Sequence, residues 1–247
     1  MFFSKFDIDT YSFDLRGFGK NNNRGKWVPL NVHIYDVERF IKKIRSENPK
    51  KKIFLLGESM GAAIAIGYAN QKKIGSIDGL ILVSPAIWNF TEQNPFKSLI
   101  LRMISNFFPD LKVSGKGIIK VRPSDNLKML KKFSNDPLVI KKPSLESLKG
   151  IVELMDESFE NAEKYFSEPK FDTLIILPII DEIVPRKPIL SLIDKKDFRE
   201  NINKKIYLAV YEKNFHMILR DIDGERVSRE IKEWIINREN VSNFYSF

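Results

Sequence analysis

One serine, one histidine and one aspartate in this chain have the types and positions that nucleophilic catalysis requires. Ser59 lies in Gly57-Glu58-Ser59-Met60-Gly61, the pattern Gly-x-Ser-x-Gly. That pattern presents an alcohol for attack when a buried strand precedes it and a helix follows, because the sharp turn strains the serine and exposes its Oγ. A serine hydroxyl is a poor nucleophile at neutral pH and needs a base within hydrogen-bond reach, which in turn needs an acceptor to fix its tautomer. Only His33 and His216 are available as base. His33 falls on the apolar face of an expected helix and reads as a packed structural histidine. His216, in Asn214-Phe215-His216-Met217, follows an expected strand and is the candidate base. Asp181 follows another strand and is the candidate orienting acid. Asp172 precedes that strand and so falls at the wrong edge; Glu182 is adjacent to Asp181 but would point elsewhere, and Asp194 belongs to the next helix. The backbone N–H of Met60, immediately after the nucleophile, is the one oxyanion donor that can be assigned.

These groups must be brought together by the elements around them. Residues 52–56 form a continuous apolar run, as a strand buried on both faces does, and residues 60–70 are rich in Ala and Ile and read as a buried helix. Apolar runs at 79–83, 173–177 and 205–210 give three more strands, with helical stretches between them, so a parallel α/β sheet is expected with helices on both faces. Residues 8–15 alternate in polarity and read as a further strand, closed by the turn-forming run from Gly17 to Gly25. After Pro29, the positions of His33, Val37, Phe40, Ile41 and Ile44 describe a helix that Pro49 stops. Val227, Ile231, Trp234 and Ile235 share a face in a closing helix. Roughly 90 residues without a clear strand separate 83 from 173, too long for a structureless loop. They are read as a helical insertion, and the chain as one domain, 1–247, with a cap at about 89–165. Within it Leu99, Ile100, Met103, Ile104, Phe107 and Phe108 make an amphipathic stretch that either packs on the core or lids an apolar pocket.

Composition narrows the chemistry. The chain has 247 residues, 43% of them hydrophobic, enough for a large core. It has no cysteine and two histidines, which disfavours thiolate and histidine-rich metal sites; no cofactor or metal is expected. Absence of cysteine, of a secretory signal and of a membrane-length apolar run points to a soluble cytoplasmic protein. A net charge of +9 would suit an anionic partner, but the basic residues are scattered in small groups such as Lys50 to Lys52, Lys72-Lys73 and Lys195-Lys196. No nucleic-acid motif accompanies them, so no nucleic-acid partner is expected.

The order Ser59, Asp181, His216 is that of the α/β-hydrolases. Tyr11 to Gly19, Tyr35-Asp36-Val37, Gly57 to Ala62, Leu82-Val83-Ser84-Pro85-Ala86, Asp181 to Pro185 and His216-Met217 together resemble the monoacylglycerol lipase and lysophospholipase branch of that superfamily, over nearly the whole chain. The resemblance implies a serine-dependent carboxylester hydrolase acting on a monoacyl lipid through an acyl-enzyme, a helical cap, and transient contact with a membrane surface. It also implies three strands and a His-Gly loop ahead of this chain's first residues, the loop supplying half of the oxyanion hole and the third strand lying between 8–15 and 52–56. The expected fold is thus an α/β-hydrolase truncated at its N-terminus, and the rival reading is an impaired remnant that at most binds lipid or a partner. Pro178 stands where the family has glycine, fixing the backbone that leads to Asp181.

Overall fold

The computed structural model describes residues 2–71, 77–114, 121–202 and 204–237; Lys72-Lys73 lie outside them. Its centre is a parallel sheet of four strands in chain order: β1 (Phe54–Glu58), β2 (Gly79–Val83), β3 (Thr173–Pro178) and β4 (Ile206–Tyr211). All three pairings are parallel. β1 runs beyond its apolar core, since Gly57 and Glu58 still pair with Leu82 and Val83.

Period-two alternation sends successive side chains to opposite faces, and here both faces are covered. Leu80, Leu82, Ile175, Leu177 and Leu208 pack with α2 (Met60–Ala69), α6 (Leu145–Ser167), α7 (Arg186–Ile193) and α8 (Lys196–Asn201). Ile81, Val83, Leu174, Ile176 and Ala209 pack instead with Val227, Ile231 and Trp234 of α9 (Gly224–Asn237). α1 (Leu30–Glu47) lies outside α2 and buries Leu30, Val37 and Ile41. Every residue of α2 from Ala62 to Ala69 is buried, which requires its small side chains between sheet and α1.

Among the described residues between β2 and β3 run the helices α3 (Phe90–Gln93), α4 (Pro95–Phe107), α5 (Leu127–Asn135) and α6. The last half-turns of α6 return to the main core through Ala162, Tyr165 and Phe166. α4 is turned with Ser98 and Ser105 inward, while Leu99, Met103, Phe107 and Phe108 are 55%, 54%, 77% and 61% exposed. The apolar face of this amphipathic helix therefore points away from the core. Among the described residues no helix is long and apolar enough to cross a membrane.

Residues 8–15 correct the sequence reading: they form no strand. Alternating polarity suits a strand only if a neighbour supplies ladder partners, and no described strand lies beside them. The segment is held instead by its side chains, through the Lys51–Asp9 ion pair at 2.7 Å and the Phe13–Phe40 ring contact. The turn that follows forms as expected, with Gly17, Gly19 and Gly25 at positive φ. Gly17 is required there because a Cβ would sit 2.2 Å from the Lys26 carbonyl oxygen.

Candidate active site

β1 delivers Ser59 to a tight turn at the carboxyl edge of the sheet. Ser59 takes φ 54° and ψ −116°, a conformation that non-glycine residues rarely adopt. Neighbouring backbone holds it there. Its N–H donates to the Val83 carbonyl at 2.9 Å, and its carbonyl accepts from Ala62, Ala63 and Ala86 N–H groups. The two motif glycines differ in purpose. A Cβ on Gly57 would lie 2.3 Å from the Gly61 carbonyl oxygen, so the turn closes only on glycine, whereas a Cβ on Gly61 would meet nothing within 4 Å. Met60 opens α2, where a first-turn N–H has no partner within its own helix.

β4 leads into the loop that carries His216, and β3 into the loop that carries Asp181. His216 Nε2 stands 2.8 Å from Ser59 Oγ, and its Nδ1 2.6 Å from Asp181 Oδ2. A carboxylate facing Nδ1 fixes the proton on that nitrogen, leaving Nε2 as the acceptor for the serine hydroxyl. The structure thus brings Ser59, His216 and Asp181 into one chain of contacts. Pro178 does not prevent this: it closes β3 in register with Tyr211, and Ile179 and Ile180 N–H groups then donate to the Tyr211 and Asn214 carbonyls.

The Asp181 side chain is fully buried. Its Oδ1 accepts from Ile183 and Val184 N–H at 2.8 and 2.9 Å, and its Oδ2 from Arg186 Nη2 at 2.7 Å as well as from His216. Burial alone would raise its pKa, but the His216 hydrogen bond, the His216 and Arg186 charges and the Val184 N–H outweigh burial and hold the carboxyl below its ordinary range. The other acids lie elsewhere. Glu182 accepts from Arg122 N–H, Asp172 faces Lys205, and Asp194 caps α7 and pairs with Arg199. His33 is buried beneath the edge-on ring of Trp27, and both of its ring nitrogens lack a hydrogen-bond partner among the described residues. Desolvation lowers its pKa, against a smaller opposing effect of Asp36, so it packs as a neutral ring.

Three features of the site carried no local signal. The segment 122–126, far from the triad in sequence, straps the two loops together. Met217 N–H donates to the Pro123 carbonyl at 2.8 Å, Ser124 Oγ donates to Asp221 Oδ1 at 2.7 Å, and Ile222 N–H donates to Asp125 Oδ1 at 2.8 Å. Asp221 Oδ2 in turn accepts from Phe215 N–H, the residue before the histidine. Glu58, inside the motif, is turned inward with Oε1 unpartnered among the described residues and Oε2 3.9 Å from Arg220. Burial raises its pKa, with Arg220 and His216 opposing and Asp221 adding to the rise. The third feature is Arg186, the first residue of α7, described above at Asp181.

A parallel sheet flanked by helices on both faces, with a strained serine after one strand and a histidine and an aspartate after later ones, defines an α/β-hydrolase. The family model for serine aminopeptidase, S33, matches residues 2–223, and this chain belongs to that family. Human monoglyceride lipase is 24% identical over 237 residues, covering 94% of this chain and 74% of that protein. The phospholipase YtpA of Bacillus subtilis is 27% identical over 157 residues, covering 63% of this chain and 60% of that one. The crystal structure of a Paleococcus ferrophilus monoacylglycerol lipase superposes with a TM-score of 0.72 at 23% identity, over 93% of this chain and 83% of that chain, a likeness of fold.

Proposed function

We propose that this chain hydrolyses the ester of a monoacyl lipid, a monoacylglycerol or a lysophospholipid, through an acyl-enzyme on Ser59. The observation that carries the reading is the unbroken line from Ser59 Oγ through the His216 ring to the fourfold-bonded Asp181 carboxylate. A carboxylic ester hydrolase is the activity that the family and its lipolytic relatives support.

His216 Nε2 accepts the Ser59 proton as Oγ attacks the acyl carbonyl, and the Asp181 carboxylate stabilises the imidazolium that forms. The oxyanion develops beside the Met60 N–H at the start of α2, where the helix dipole also favours negative charge. The imidazolium then protonates the leaving alcohol. Water enters, loses a proton to His216 and releases the fatty acid.

The outward apolar face of α4, within the cap proposed at about 89–165, suits transient contact with the lipid surface that holds such a substrate. A cysteine-free chain suits work on the cytoplasmic side. A fluorophosphonate probe tests the nucleophile. Wild type is expected to be labelled, and Ser59→Ala and His216→Ala not; equal labelling of all three refutes the assignment. Lysolipid binding without serine-dependent turnover would favour a binding remnant instead.

A further inference from the structure

We propose that Arg186 is a positioning residue for the proton-transfer pair: its guanidinium holds Asp181 Oδ2 against His216 Nδ1. The inference rests on the triad reading of Ser59, Asp181 and His216 and gives a role to a residue outside it.

The guanidinium is fastened at two points. Arg186 Nε and Nη2 both donate to the Val184 carbonyl, at 3.0 and 2.7 Å, and Nη2 also donates to Asp181 Oδ2 at 2.7 Å. With Ile183 and Val184 N–H on Oδ1 and His216 on Oδ2, the carboxylate has four donors, filling its acceptor sites and leaving it no freedom to rotate. Helix stability does not explain the arginine. It occupies the first position of α7, where the helix dipole disfavours a cation, and its side chain is only 9% exposed with Nη1 lacking any hydrogen-bond partner among the described residues. A guanidinium buried at that cost and aimed at the acid is accounted for by the acid.

Arg186 reaches the imidazole through one shared oxygen, so the ring keeps its direction toward Ser59 only while that oxygen is held in place. The other charged groups around the histidine are Asp181 from the β3–α7 loop, Glu58 from β1, and Arg220 and Asp221 from its own loop, with Arg122 over the neighbouring Phe215 ring and Glu182 beside Arg122. Of these, Asp181 is the group bonded to Arg186, so replacing the guanidinium acts on the histidine through that carboxylate.

The test is the second-order rate of inactivation by a fluorophosphonate, alongside kcat and KM for p-nitrophenyl butyrate and thermal unfolding. Arg186→Gln is expected to lower kcat and the inactivation rate together by about tenfold with KM unchanged, because a misplaced acid slows proton transfer and leaves binding of the ester untouched. Arg186→Lys keeps a charged donor but loses the planar fork, so it is expected to recover part of that loss. A folded Arg186→Gln protein with the wild-type kcat and inactivation rate overturns the proposal, even if it melts earlier, and so does a loss confined to KM. Should Arg186→Gln not fold, Arg186→Lys decides alone: a wild-type kcat overturns it. A wild type that reacts with neither reagent would strike the nucleophile reading beneath it, a result distinguishable from unchanged rates in a reactive protein.

Discussion

Deleting the Ser124 hydroxyl is expected to loosen the histidine loop from a distance of nearly a hundred residues along the chain. Ser124 is 0% exposed, its hydroxyl donates to Asp221 Oδ1 at 2.7 Å, and its oxygen accepts from Asn126 N–H at 3.2 Å. In Ser124→Ala the Asp221 carboxylate, 5% exposed, keeps its Asn214 and Phe215 donors on Oδ2 but has none on Oδ1 among the described residues. A hydrogen bond to a charged group contributes about 1.5–3 kcal/mol, and a buried partner left unsatisfied puts the loss toward the upper end of that range. For a protein of this size each kcal/mol lowers Tm by roughly 2–4 °C, so the variant should melt about 5–10 °C below wild type. Activity at low temperature should fall only a few-fold, because Asp221 still holds Phe215 and hence the approach to His216. Differential scanning fluorimetry with the fluorophosphonate rate measured alongside gives both numbers. Ser134→Ala is the control, since that exposed hydroxyl bonds the Lys131 carbonyl of its own helix and its loss should change Tm little. A Ser124→Ala protein melting within about 1 °C of wild type would show that 122–126 does not brace the loop, and the reasoning would fail.

Gly57→Ala should abolish soluble, probe-reactive protein, because its Cβ would lie within 2.6 Å of the Gly61 carbonyl and the Ala62 nitrogen, whereas Gly61→Ala should retain labelling and gain about 0.5–1 kcal/mol in denaturant unfolding. Equal damage from both would contradict the open space beside Gly61. Glu58→Gln should raise Tm at neutral pH. Burial lifts the native pKa of Glu58 above its ordinary 4.5, so ionisation penalises the folded state as pH rises from there, and the advantage of the amide should shrink toward zero as pH falls to that value. A less stable Glu58→Gln protein at pH 7 would mean that the carboxylate is held by Arg220 more strongly than burial opposes it.

What the sequence determined by itself was whatever is set by neighbours along the chain. The apolar runs gave four strands, since a strand buried on both faces must be apolar throughout, and Gly57-Glu58-Ser59-Met60-Gly61 marked the turn because only glycine at 57 lets the chain close. Chain order then put His216 and Asp181 after later strands, at the same sheet edge as Ser59. Only the tertiary structure decided the rest. Whether 8–15 pairs depends on a neighbouring ladder, which alternation of polarity does not report. Which way α4 faces depends on what lies beneath it, and two inward serines settled that the apolar side is exposed. The strap from 122–126 to the histidine loop, and the guanidinium of Arg186 on Asp181, are pairings of ordinary polar residues with no periodicity or motif of their own. They acquire meaning only when folding removes water from both partners, which is when a buried carboxylate must find its donors within the protein.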